Sequence, residues 1–197
     1  MLDTHARKYV EPMIGSTANI FLRLRLKPNQ VTWAAFLIGS VTGVLIYYDQ
    51  PILAVVLLWI SGYLDAVDGA MARKQKKTSS WGTVLDITFD RIVELSVIIG
   101  LAAKFPEAQF LLLLLTAAIV FSMTVFLTVG ALSDKKGLKS FYYQAGLAER
   151  TEGFILFSLM TLFPSWLLGF IGLFLFVEVF TALQRMWEAK QLLSDEG

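Results

Sequence analysis

The chain contains no cysteine, and His5 is its only histidine. A disulfide framework and a thiolate metal site are therefore excluded, as is any zinc centre built on several imidazoles. Charge is scarce as well. Asp, Glu, Lys and Arg make up 17% of the 197 residues, against roughly 25% in an ordinary soluble domain. The first residues, among them Asp3, His5, Arg7 and Lys8, are polar and lack the apolar core of a secretory signal. Membrane insertion is then expected to be directed by the first true span.

What the chain has in excess is apolar sequence: 56% of residues are hydrophobic and the mean hydropathy is +0.62. The excess falls in runs, about 31–48, 51–72, 83–103, 108–132, 152–163 and 165–186. A bilayer core of about 30 Å needs roughly 20 residues of helix. The expectation is an all-α integral membrane protein, one membrane domain over residues 1–197 with six transmembrane helices in a core at 31–186. The fifth run is short, and Pro164 separates it from the sixth by a tight turn. Before the first span, Phe21, Leu22, Leu24 and Leu26 alternate with Arg23, Arg25 and Lys27. That mixture suits a juxtamembrane amphipathic helix within residues 1–30, lying on the membrane surface; a bland leader would read similarly. Residues 187–197 form a tail.

The cations orient the spans. Six spans gather Arg7, Lys8, Arg23, Arg25, Lys27, Arg73, Lys74, Lys76, Lys77, Lys135, Lys136, Lys139, Arg150, Arg185 and Lys190 on one side, and leave Lys104 on the other. The positive-inside rule then places both termini in the cytoplasm.

Four aspartates interrupt the apolar runs. Asp65 and Asp68 lie in the second, Asp86 and Asp90 in the third. An acid near the centre of a membrane helix costs about 2.5–3.5 kcal/mol on insertion scales, and less near an interface. The i, i+3 and i, i+4 spacings point each pair one way from its helix. The short 73–82 connection makes the two helices antiparallel neighbours, so both pairs can converge near the cytoplasmic ends. Arg73 and Arg91 are too few to neutralise four carboxylates. Hard divalent cations with oxygen ligands, Mg²⁺ or Mn²⁺, answer the need, and four carboxylates suggest two ions per site. The plainer alternative is that the acids are caps and terminal charges facing interfacial water.

The residues from Asp65 to Asp90 spell a pattern: Asp65-x2-Asp68-Gly69-x2-Ala72-Arg73-x8-Gly82-x3-Asp86-x3-Asp90. It resembles the full motif of the CDP-alcohol phosphotransferase family, and the resemblance extends to the six-span plan and to Pro28-Asn29-Gln30-Val31-Thr32. The resemblance implies transfer of a substituted phosphate from a CDP-linked donor, commonly CDP-diacylglycerol, to an alcohol, with release of CMP. It further implies that Asp65, Asp68, Asp86 and Asp90 hold two metal ions, with Asp90 doubling as the general base. Donor binding would fall to Gly69, Ala72, Arg73 and Gly82, joined by Asn29, Thr32 and Ser79, which match CDP-contacting positions in phosphatidylinositol-phosphate synthases. Small residues also serve helix packing, and capping explains Asn29 and Ser79 nearly as well.

The acceptor is the open question. Lys135, Lys136, Lys139 and Arg150 lie in the basic 133–151 stretch, and Ala148-Glu149-Arg150-Thr151-Glu152 is similar to a segment of inositol-phosphate-using relatives. There an arginine contacts the acceptor's phosphate, so a phosphorylated polyol such as inositol phosphate or glycerol phosphate is the expected acceptor. The pattern around Leu132-Ser133-Asp134 does not match those relatives, and a solvated positive-inside loop looks much the same. The resemblance also suggests a homodimer in a bacterial or archaeal cell membrane, with the site at the cytoplasmic face and no nucleic-acid partner. A transporter is the rival from another class, because intramembrane carboxylates also mark ion pathways. Transporters usually show paired halves with broken helices at the midplane, whereas these acids cluster once.

Overall fold

The computed structural model describes residues 2–76, 78–132 and 150–194, with side chains at 10–76, 78–132 and 150–191. The described residues form α-helices and short 3-10 turns: α1 (Leu2–Arg23), α2 (Pro28–Ser40), α3 (Thr42–Tyr47), α4 (Pro51–Lys74), α5 (Ser80–Lys104), α6 (Gln109–Leu132), α7 (Arg150–Leu162) and α8 (Leu167–Ser194). No strand occurs among them. Four of the five prolines open helical segments, at Pro28, Pro51, Pro106 and Pro164. Proline suits the first helical turn because its missing N–H would be unpaired there anyway.

Four helical stretches among the described residues are long and apolar enough to cross a membrane: Pro28–Tyr47, Pro51–Lys74, Pro106–Leu132 and Pro164–Gln191. The expected six differ from this at two places. α5 has the length, but Asp86, Asp90, Arg91, Glu94 and Lys104 dilute its apolar character. α7 has 13 residues, about 20 Å of helix.

The run expected as one span at 31–48 is two helices in line, α2 and α3, broken at Val41. Gly39 and Gly43 flank the break, and α5 presses into it. A Cβ on Gly43 would stand 1.9 Å from the Ser96 carbonyl oxygen, and one on Gly100 would stand 2.3 Å from the Gly43 carbonyl oxygen. The Ser96 hydroxyl accepts from the Gly43 N–H at 3.2 Å and donates to the Ser40 carbonyl at 2.7 Å. A side chain from α5 thereby satisfies backbone groups freed by the interruption, as a membrane interior requires.

The main core joins α3 to α8 through Leu58, Val97, Leu101, Leu115, Phe157 and Phe174, all essentially buried. A second cluster, Ala18, Val31, Val67, Ala70 and Met71, packs α1, α2 and α4 together. α1 is further tied to α4 by the Lys74 ammonium, which donates to the Gly15 carbonyl at 2.6 Å and the Asn19 side chain at 2.7 Å. Thr17 and Tyr63 share a hydrogen bond of 2.6 Å. α1 ends with the Arg25 N–H donating to the Leu22 carbonyl and the Leu26 N–H donating to that of Phe21, at 3.0 and 3.1 Å. This is the Schellman closure of a helix.

Arg185, counted among the cations of the basic side, packs inside the bundle. It is buried, with its guanidinium 5.1 Å from the Phe126 ring centre and Nη1 3.5 Å from the Ser122 hydroxyl. α8 continues to Ser194, well past the expected end at 186, and carries Arg185 along a packed face.

Candidate active site

α4 and α5 are consecutive, yet they are not the packed antiparallel neighbours that the short connection suggested, because α2 and α3 pack against both of them; acids from the two helices nonetheless converge. Oxygens of Asp65, Asp68 and Asp86 lie within 4.8 Å of one another. Asp68 is buried, and its Oδ2 has no hydrogen-bond partner. A buried carboxylate oxygen without a donor is costly, and a hard cation removes that cost with the chemistry this donor set offers. The residues fit a divalent ion held by Asp65, Asp68 and Asp86. Asp90 stands one turn further along α5 and is held differently. Arg150, opening α7, forks between two acids, with Nη2 2.7 Å from Asp90 and Nη1 paired with Asp65.

The sequence suggested Arg73 and Arg91 as the cations nearest the acids. The structure assigns that place to Arg150. Arg91 pairs with Glu94 at 2.5 Å along its own helix. Arg73 lies over Gly69, where Nη1 is 3.2 Å from the position a Cβ would take. Adjacent helix positions diverge by about 100°, so Arg91 follows Asp90 in sequence but leaves α5 on another side.

A cavity of about 660 Å³ opens against the carboxylates. The expected donor residues Asn29, Thr32, Gly69, Ala72, Arg73, Ser79 and Gly82 all line it, together with Asp68 and Asp86. Local structure explains how. Ser79 caps α5 by accepting from the Gly82 N–H at 3.0 Å. At the start of α2, Gln30 accepts from the Lys27 N–H at 2.9 Å and the Thr32 hydroxyl donates to the Pro28 carbonyl at 3.2 Å. Asn29 Oδ1 comes within 3.9 Å of where a Gly82 Cβ would stand. Deeper in, Phe36 and Phe89 stack with ring centres 4.1 Å apart, holding α2 against α5 beside Asp90.

Of the expected acceptor residues, Arg150 is in the site, whereas Lys135, Lys136 and Lys139 lie outside the described residues. Arg25, Lys27, Gln75, Thr78 and Thr83 also line the cavity. They carry no motif signal, and only the link's basic character hinted at the first two.

The sequence pattern of the CDP-alcohol phosphatidyltransferase family matches residues 25–187. The chain is 31% identical over 198 residues to the archaetidylinositol phosphate synthase of Pyrococcus horikoshii, covering 98% of each chain. It is 30% identical over 195 residues to the inner membrane protein YnjF of Escherichia coli, covering 95% of this chain and 94% of that one. Among solved structures, the Mycobacterium tuberculosis phosphatidylinositol phosphate synthase with CDP-DAG bound superposes with a TM-score of 0.75 at 23% identity, over 91% of this chain and 94% of that one. The same mycobacterial enzyme in complex with manganese and citrate gives 0.73 at 23% identity, over 89% and 88%. The acids at the α4–α5 turn, the cavity beside them and a family match reaching from the α1–α2 link into α8 agree: this integral membrane chain is an enzyme of the CDP-alcohol phosphatidyltransferase family.

Proposed function

We propose that the protein transfers a phosphatidyl group from CDP-diacylglycerol to a phosphorylated polyol, such as inositol phosphate or glycerol phosphate, and releases CMP. The observation that carries this reading is the convergence of Asp65, Asp68 and Asp86, two of which, Asp68 and Asp86, line a cavity that the expected donor residues also line. The named relatives support it: one is an archaetidylinositol phosphate synthase, and the mycobacterial enzyme was captured with CDP-DAG and with manganese.

In this reading Asp65, Asp68, Asp86 and Asp90 hold two Mg²⁺ or Mn²⁺ ions, which when bound polarise the phosphoryl oxygens and offset their charge. Arg73 offers its planar fork to the donor diphosphate, and Gly69 and Ala72 let the nucleotide approach the α4 backbone. Asn29, Thr32, Ser79 and Gly82 frame the cytidine end. Asp90 takes the proton of the acceptor hydroxyl as the acceptor oxygen bonds the lipid-bearing phosphorus and the bond to the CMP oxygen breaks. Arg150, with Lys135 and Lys139, receives the acceptor's phosphate; a guanidinium already beside Asp90 is well placed to bring that hydroxyl to the base.

The full reading has six spans, α5 and α7 included, with both termini and the site on the cytoplasmic side of a bacterial or archaeal membrane. α1 lies in the interface, with Met13 and Ile20 exposed toward lipid. Assembly is as a homodimer. Gly100 does not contribute to that contact, since it is spent against Gly43 within the chain. The test is CMP release by the purified protein supplied with CDP-diacylglycerol, Mg²⁺ or Mn²⁺, and a panel of alcohols with and without phosphate. Release with phosphorylated polyols is expected; no release with any alcohol would overturn the reading, and equal rates with unphosphorylated ones would remove the acceptor assignment.

A further inference from the structure

One wall of the cavity belongs to no motif. Arg25 and Lys27, from the link between α1 and α2, line it beside Leu22 and Leu26. Arg25 has a φ of 60°, the left-handed region in which a Cβ is crowded and glycine is ordinarily found at a Schellman end. Its N–H closes α1 onto the Leu22 carbonyl, a bond that glycine would make with less strain. A cation near a helix C-terminus is favourable, but Arg23 already stands in the last turn. The helix end therefore gives no reason for arginine at the strained position. The cavity does. Arg25 lines it and Arg23 does not. Among the described lining residues the cations are Arg25, Lys27 and Arg73, facing a space that also contains Asp68 and Asp86.

We propose that Arg25 is a donor-recognition residue, engaging the diphosphate of the CDP-linked donor from the α1–α2 link. The inference rests on the CDP-donor reading above and assigns it a contact outside the Asp65–Asp90 pattern. The ligand chemistry is a phosphate anion in either of two settings, the nucleotide diphosphate in the cavity or a lipid phosphate at the membrane surface, and we assign the first. Arginine suits it because its fork can meet two phosphate oxygens at once.

The experiment is calorimetric binding of CDP and of CMP, with Mg²⁺ present, to the full chain purified in a neutral detergent free of anionic lipid. Arg25→Gly and Arg25→Ala are expected to weaken CDP about tenfold or more, the worth of one hydrogen bond to a charged group, and CMP by less. Arg25→Lys should fall between these and wild type, and Arg23→Ala should bind CDP as wild type does. Because glycine relieves the left-handed residue, Arg25→Gly should melt no lower than wild type, which separates loss of a ligand contact from loss of structure. CDP affinity unchanged in both Arg25→Gly and Arg25→Ala overturns the proposal. So does a defect seen only in vesicles containing anionic lipid, which assigns Arg25 to the membrane surface. Wild-type protein that binds neither nucleotide sinks the donor reading itself, a result distinct from either.

Discussion

Arg150 Nη2 lies 2.7 Å from Asp90 Oδ1, and the same guanidinium also pairs with Asp65. An arginine and a divalent cation placed against the same carboxylates compete for them. Arg150→Gln should therefore lower the Mg²⁺ concentration needed for half-maximal activity while also lowering kcat, because the partner proposed for the acceptor's phosphate is lost. Titrating Mg²⁺ at saturating donor measures both. An unchanged or increased metal requirement would show that the fork does not oppose the ion.

Asp90→Asn keeps the size of the side chain and removes its basicity. The expected loss in kcat is roughly 10²–10⁴-fold, the usual contribution of a general base. Nucleotide binding should survive better than in Asp65→Asn, since Asp65 belongs to the close carboxylate group and Asp90 stands apart from it. Parallel kinetics and CDP binding on the two variants decide between base and ligand: near wild-type turnover in Asp90→Asn contradicts the role.

Metal removal should silence the enzyme. The cavity wall presents the carboxylates of Asp68 and Asp86, and hard divalent ions suit them. Chelation should abolish CMP release, and Mg²⁺ or Mn²⁺ should restore it. Full turnover in metal-free buffer would leave the unpaired Asp68 oxygen without its proposed occupant.

Gly43→Ala and Gly100→Ala should each destabilise the protein by about 1–3 kcal/mol or more, because the new methyl meets backbone rather than a movable side chain. Gly169→Ala and Gly172→Ala serve as controls, since a Cβ at either finds nothing within 4 Å. Thermal unfolding in detergent should separate the pairs clearly; equal melting temperatures would mean the α3–α5 contact is looser than described.

Gly69→Ala should act through Arg73. The added Cβ would stand 3.2 Å from Arg73 Nη1, close enough to shift the guanidinium by a few tenths of an ångström or more. The expected outcome is a higher KM for the CDP donor with stability little changed. A wild-type KM would mean that the guanidinium is free to move without loss to the donor.

What could be read in advance, and what could not, follows the range of the interactions. Asp65, Asp68, Asp86 and Asp90 lie on two consecutive helices joined by a short turn, so spacing alone brings them together. Arg150 reaches the same point from 60 residues beyond Asp90, and nothing local in the chain signals that pairing. Arg91 illustrates the opposite trap: adjacency to Asp90 suggested a partner, whereas helical geometry sends it to Glu94. The interruption at Val41 was hidden inside an unbroken apolar run, because hydropathy records residue type and not the close approach that Gly39, Gly43 and Gly100 permit. The α5 acids were legible as chemistry, yet the same acids keep α5 from reading as a plainly apolar span.

The hydroxyl of Ser96 seated in the break of α2 and α3 has a mechanical consequence. With Gly43 and Gly100 interlocked beside it, the joint acts as the pivot of a pair of tongs whose arms are α2 and the first half of α5. The jaws are Asn29 and Gly82, about 16 and 21 Å from the pivot at 1.5 Å per residue. An arm pinned by hydrogen bonds and backbone contact cannot slide along its partner. Any opening of the jaws to admit or release a nucleotide must be taken up by flexing of the arms, and the stacked pair of Phe36 and Phe89 lies between pivot and jaw where that flexing is resisted.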